Sequence, residues 1–248
     1  MKTAVVLAGG KGLRLYPGTS GIPKPMTVIN DKPIMEHIIL MLKRLGFETV
    51  YVIVGYKKEF IADYFKDGKR YGLSIEYIEN RYIDDPRKNG LSDALLLVEG
   101  IPAGPFMTIL GDEIYVNTRH KEMVELFESG APREAMIAVY ETTNIDDVKK
   151  NYSVKVDDDW LVLDLEEKPL QPWNNMVGCG TYLFRPSIFK YIEKTKVSDR
   201  TGRRELADTL KLIIEDKKVL GAFDIGGKYV NITYPEDLDY AKGILKGI

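Results

Sequence analysis

A few residues in this chain have the type and spacing to work on phosphate. Gly9, Gly10 and Gly12, with Lys11 among them, follow directly on the apolar run Val5-Val6-Leu7-Ala8. Glycine adopts positive φ readily and lets the main chain approach a ligand closely, so successive N–H groups can converge on one anion. Arg14 adds a planar donor fork matched to phosphate oxygens, and Lys24, set in Pro23-Lys24-Pro25, adds a compact point charge. Leu7, Ala8, Gly9, Gly10, Lys11, Gly12, Arg14 and Lys24 are therefore the candidate cradle for a triphosphate. A surface turn would use the same glycines, and on the glycines alone both readings stand. The spacing matches neither the P-loop nor the dinucleotide fingerprint.

Two further clusters carry charge. Gly111-Asp112 closes the apolar run FMTIL, and a carboxylate leaving the same sheet edge as the glycine loop is placed to hold Mg²⁺ bridging phosphate oxygens. Gly-Asp also caps turns, so this pair alone leaves both roles open. Glu166-Glu167-Lys168-Pro169 follows VLDL and reads by itself as a solvated charged loop.

The elements that must position these groups alternate. Strand signals at 4–7, 49–54, 74–78 and 106–110 are interleaved with helix signals at 34–45, 58–65 and 91–99. Repeated βα units predict an α/β fold, a Rossmann-like, mostly parallel sheet flanked by helices. Beyond residue 112 the texture becomes α+β, with strands near 136–140, 153–156, 161–165 and 177–184 and helices near 119–129, 187–194, 204–215 and 235–246. The expected organisation is one domain over 1–248, with a nucleotide-binding half (1–112) and a second half (113–248) that adds a substrate-binding wall. Ligands of such sheets sit at the carboxyl ends of strands, where the glycine loop begins.

Composition narrows the class. With 44% hydrophobic and 29% charged residues over 248 positions, the chain can bury a sizeable core. A net charge of -2 gives no basis for nucleic-acid binding. One cysteine and two histidines exclude a disulfide and a thiolate or histidine-rich metal centre, leaving a hard, oxygen-bound cation. No stretch has the length and apolarity of a membrane span or signal peptide, so no membrane partner and a cytoplasmic location are expected.

Taken whole, L-A-G-G-x-G-x-R-L-x-P followed by P-K-P resembles the signature of the sugar-1-phosphate nucleotidylyltransferases, also called nucleotide-sugar pyrophosphorylases. The resemblance runs on through Gly111-Asp112, Glu167-Lys168-Pro169, the VGCGTYLF strand from Val177 and Pro235-Glu-Asp-Leu. It implies a GT-A-like nucleotidyltransferase fold, with Asp112 on a catalytic Mg²⁺, Glu167 on sugar hydroxyls and Lys168 on the sugar phosphate. Gly178 would leave room for the sugar ring, and the base pocket would lie around Asn80 to Gly90. Many members place an aspartate four residues before the proline as second metal ligand; here that position is Asn231, a weaker ligand. Ser153 stands where many have glycine.

Gly90-Leu-Ser-Asp-Ala resembles the thymidylyl and uridylyl enzymes more than the guanylyl and adenylyl ones. The implied reaction is attack of a hexose-1-phosphate, glucose-1-phosphate by preference, on the α-phosphorus of dTTP or UTP, with pyrophosphate leaving. Arg14, Lys24, Asp112 and Lys168 would be the catalytic set, and a homo-oligomer is an expected state. Three other readings stay open at this point: a guanylyl- or cytidylyltransferase with another sugar or a non-sugar phosphate acceptor, a non-catalytic regulatory protein that binds nucleotide sugars, and an oxidoreductase, which the missing G-x-G-x-x-G disfavours.

Overall fold

Thr3–Leu7 is a strand because its side chains are apolar on both faces, and all but Thr3 are buried. The computed structural model describes residues 1–12, 15, 21–85, 87–129 and 132–246; Arg14 lies outside them. In chain order the elements are β1 (Thr3–Leu7), β2 (Val28–Ile29), β3 (Lys32–Pro33), α1 (Ile34–Arg44), β4 (Thr49–Val54), α2 (Lys58–Phe65), β5 (Ser74–Glu79), α3 (Leu91–Leu96), β6 (Phe106–Leu110) and β7 (Glu113–Val116). They continue as α4 (His120–Ser129), β8 (Ala135–Glu141), α5 (Ile145–Lys150), β9 (Tyr152–Val156), β10 (Val162–Glu167), β11 (Met176–Phe184), α6 (Ile188–Lys194), α7 (Leu206–Glu215), β12 (Leu220–Asp224), β13 (Lys228–Asn231) and α8 (Pro235–Ile244).

The chain forms two units. The first gathers Lys2–Ile83, Ile109–Thr118 and Gly227–Ile248. Its β1, β4 and β5 pair in parallel, with Val5 opposite Tyr51 and Val52 opposite Tyr77. The α1 helix buries Ile34, Met35, Ile38, Ile39, Met41 and Leu42, one broad apolar face. Gly46, at φ 86°, ends it: the Phe47 N–H donates to the Leu42 carbonyl and the Gly46 N–H to that of Lys43. That closure satisfies two orphan carbonyls and needs a left-handed residue. The antiparallel pair β7 and β13 joins Leu15, Ile29, Ile34 and α8 residues Ala241 and Ile244 in a second small core.

The second unit gathers Met1, Asp84–Thr108 and Arg119–Gly226. Here β10, β9, β11 and β8 pair antiparallel, and β12 adds to β8 in parallel. All but one of the nine residues of β11 are buried. Helices α3, α6 and α7 pack together, and buried hydroxyls knit them: Thr209 contacts Ser92 at 2.7 Å and Thr195 at 2.8 Å.

Every helix and strand predicted from sequence is found, with small shifts at its ends. The sequence reading lacked the two-residue strands β2 and β3, and also β7, β12, β13 and the short α5. It also put Glu166 and Glu167 in a loop, whereas both extend β10, with Glu166 paired to Ser153 and Glu167 to Tyr152. Pairing to β9 supplies the backbone partners that a charged sequence does not advertise. No helix among the described residues is long and apolar enough to cross a membrane.

Candidate active site

In the first unit the chain leaves β1 at Leu7 and turns. The Ala8 N–H still donates to Ile53, after which the Gly9 carbonyl accepts from the Tyr56 N–H at 3.2 Å. This contact brings two backbones together, and a Cβ on Gly55 would lie 2.8 Å from the Gly9 carbonyl oxygen. Gly12 has two reasons to be glycine: its φ is 61°, and a Cβ there would meet Lys24 Cβ at 2.7 Å. The root of Lys24 therefore lies beside the glycine loop. Pro23, at φ -61°, leads into a single 3₁₀ turn over Lys24–Met26, closed by Met26 N–H to Pro23 and Thr27 N–H to Lys24.

From that turn Lys24 Nζ donates to Asp112 Oδ2 at 2.5 Å, with the lysine side chain 10% exposed and the aspartate 27%. Asp112 is held from both sides. Just before it the Gly111 N–H donates to Leu7 at 2.9 Å, and its own carbonyl accepts from the Ile232 N–H at 3.0 Å. The carboxylate thus leaves the edge where β1 ends, as the sequence reading anticipated. Asn231 stands opposite Glu113 in the β7–β13 register, and its Oδ1 accepts from the Thr233 hydroxyl at 3.3 Å.

Glu113, next to Asp112, is fully buried. Its carboxylate accepts from the Tyr229 hydroxyl at 2.6 Å and from the Tyr115 hydroxyl. Sequence reasoning missed this cluster, and also Lys57, whose ammonium donates to the Gly21 carbonyl shortly before Pro23. Asn80 is buried; its N–H donates to Val54 and its Oδ1 accepts from the Tyr82 N–H at 3.0 Å, so that oxygen shapes its own turn.

In the second unit Glu167 ends β10 and Lys168 follows at φ 43°. Lys168 Nζ donates to Glu167 Oε1 at 2.7 Å. Burial pushes the Glu167 carboxyl above its usual value; Lys168 opposes that rise and Glu205 adds to it. The left-handed backbone at Lys168 is fastened by its N–H to Asn151 at 2.6 Å and by Arg200, which donates to the carbonyls of both Lys168 and Glu167. Arg200 is a further residue that no local motif announces.

Gly178 has a packing reason to be glycine. A Cβ there would fall 2.0 Å from the Tyr152 ring, whose hydroxyl donates to the Cys179 carbonyl at 3.1 Å. Glycine at 178 is what admits the tyrosine ring on this side of the strand. Gly90 precedes α3 and admits the Arg204 backbone, whose carbonyl oxygen would lie 2.3 Å from a Cβ. The Arg204 guanidinium in turn donates to Asp93 at 3.0 Å.

A glycine loop, a buried lysine and a carboxylate thus come together at one sheet edge. The family model for nucleotidyl transferases matches residues 3–235, and the chain belongs to that family. It is 36% identical over 240 residues to the UTP–glucose-1-phosphate uridylyltransferase AglF of Haloferax volcanii, covering 96% of this chain and 94% of that one. It is also 36% identical over 236 residues to the bifunctional protein GlmU of Methanocaldococcus jannaschii, 95% of this chain and 52% of that one. The chain thus spans about half the length of the GlmU proteins it matches. A putative glucose-1-phosphate thymidylyltransferase from Bacillus anthracis has the same fold, with a TM-score of 0.88 at 24% identity over 100% of this chain and 96% of that one. The expected α/β nucleotidyltransferase fold, helices around a mostly parallel central sheet, is the fold of this protein.

Proposed function

We propose that this protein is a sugar-1-phosphate nucleotidylyltransferase, joining a hexose-1-phosphate, preferably glucose-1-phosphate, to UTP or dTTP with release of pyrophosphate. The observation that carries the reading is the Lys24–Asp112 pair at the end of β1, beside the glycine loop. The substrates are supported by the near full-length likeness to AglF. The cytoplasm, where nucleoside triphosphates are made and used, is the setting this reading requires.

The stretch Leu7 to Gly12 would line the phosphates, with the main-chain N–H groups beyond Ala8 as donors, and with Arg14 and Lys24 on the oxygens that gain charge as pyrophosphate departs. Lys168 would place the attacking phosphate, and Glu167 would accept from sugar hydroxyls. Gly90 and Asn80 would border the base. No side chain serves as nucleophile, so the rate would come from alignment and charge neutralisation.

The residues present fit a magnesium ion. Asp112 and Asn231 offer hard oxygens from neighbouring strand ends, and no group of three or more His, Cys, Asp or Glu forms an all-protein cage among the described residues. Mg²⁺ suits such a sparse set because it keeps waters and takes phosphate oxygens. When bound it would neutralise charge on the phosphates.

A pyrophosphate-release screen of five nucleoside triphosphates against several sugar-1-phosphates, with Mg²⁺, tests the assignment. Release is expected with UTP or dTTP and to require the sugar phosphate. Silence across the panel, or release only with a non-sugar phosphate, overturns it.

A further inference from the structure

The Lys24–Asp112 contact joins two groups that the reaction needs in different places. Lys24 belongs on phosphate and Asp112 on a cation, yet here they satisfy each other at 2.5 Å. We propose that Lys24 is the resident counter-ion of Asp112, that a divalent cation must displace it, and that an arriving triphosphate brings this about by giving the lysine new partners. The proposal rests on the function assigned above and adds how the two ligands of that site depend on each other.

Three features support it. The pair is partly buried, and a charge-assisted hydrogen bond in such a place is strong and weakly screened by salt. The lysine backbone is fixed by the Pro23 turn while its root touches Gly12, so rotation of the flexible stem alone could carry the ammonium from Asp112 toward the glycine loop. The third feature is charge. Asp112 and Lys24 sum to zero, and Asn231 adds nothing, so a lone cation meets no net attraction from these groups. A carboxylate at 231 would leave one negative charge even with Lys24 in place. Asparagine there makes the protein wait for the nucleotide.

Coupling of this kind is reciprocal, so the cation must raise nucleotide affinity by the factor the nucleotide raises cation affinity. Mn²⁺ binding to the full chain, followed by electron paramagnetic resonance in place of Mg²⁺, reads it directly. Without nucleotide, Lys24→Met and Asn231→Asp should each bind Mn²⁺ roughly 5- to 150-fold more tightly than the wild type, the usual span of coupling between linked sites. Lys24→Arg, which keeps the charge, should stay weak, and adding Asp112→Asn to Lys24→Met should abolish the gain.

A non-hydrolysable UTP analogue should tighten Mn²⁺ binding by the wild type beyond what the analogue does alone in solution. Wild type binding free Mn²⁺ as tightly as Lys24→Met and Asn231→Asp would overturn the proposal, as would a gain that survives Asp112→Asn. If Lys24→Met does not fold, Lys24→Gln carries the same comparison. Should no nucleoside triphosphate bind the wild type, the functional reading fails and the nucleotide's part with it. The metal-only comparison would still decide whether Lys24 blocks Asp112.

Discussion

Asp112 stands next to a residue that the core holds in place. Glu113 is a carboxylate with no exposure, held by Tyr229 and Tyr115, whose rings lie 5.3 Å apart. Tyr229→Phe removes one donor to a buried acceptor, a loss that typically costs about 1–3 kcal/mol. The urea midpoint should fall at unchanged slope; an unchanged midpoint would mean that the Tyr229 bond contributes nothing. The glycine loop and Asp112 were legible because their chemistry is local. Glu113 was not, since a charged residue in a strand sequence ordinarily faces water and Tyr229 is 116 positions away. Arg200 escaped for a similar reason, reaching Glu167 and Lys168 from 33 and 32 positions off.

Among the elements, β9 and β11 show how far a missing side chain can matter. Gly178→Ala would drive a methyl to 2.0 Å from the Tyr152 ring between paired strands. Overpacking of this kind costs roughly 1–3 kcal/mol. Gly10→Ala meets nothing within 4 Å, so it should leave the melting temperature near wild type. Equal melting of the two variants would contradict this account of the glycines. The helices and the apolar strands could be read from pattern because burial writes itself into them. The four-residue strands β7 and β13 could not: EIYV and KYVN are short, mixed in polarity, and defined by each other across more than a hundred positions.

At the scale of the whole molecule the two units each draw on non-adjacent stretches, which composition gives no means of foreseeing. The order of motifs was legible nonetheless, since glycine loop, Gly-Asp, Glu-Lys-Pro and Pro-Glu-Asp follow one another along the chain. One global property comes from His120, at the start of α4. It is 1% exposed, and burial lowers its pKa from 6.5 to about 3. Between those values the unfolded chain binds the proton more readily than the folded one, so this group's stabilising contribution is present above pH 6.5 and is lost as pH falls toward 3. His120→Gln should flatten the acid side of the melting curve, and an unchanged slope in that window would exclude the histidine as its cause.

The central claim is that Asp112 serves the transfer of a nucleotidyl group from the edge it shares with the glycine loop. Single-turnover pyrophosphate release with saturating UTP, glucose-1-phosphate and Mg²⁺ tests it most directly, wild type against Asp112→Asn. Loss of one such contact typically slows the chemical step by about a hundredfold or more. That slowing, in a variant that keeps its fold, is the expected result; equal rates in the two proteins would contradict the account.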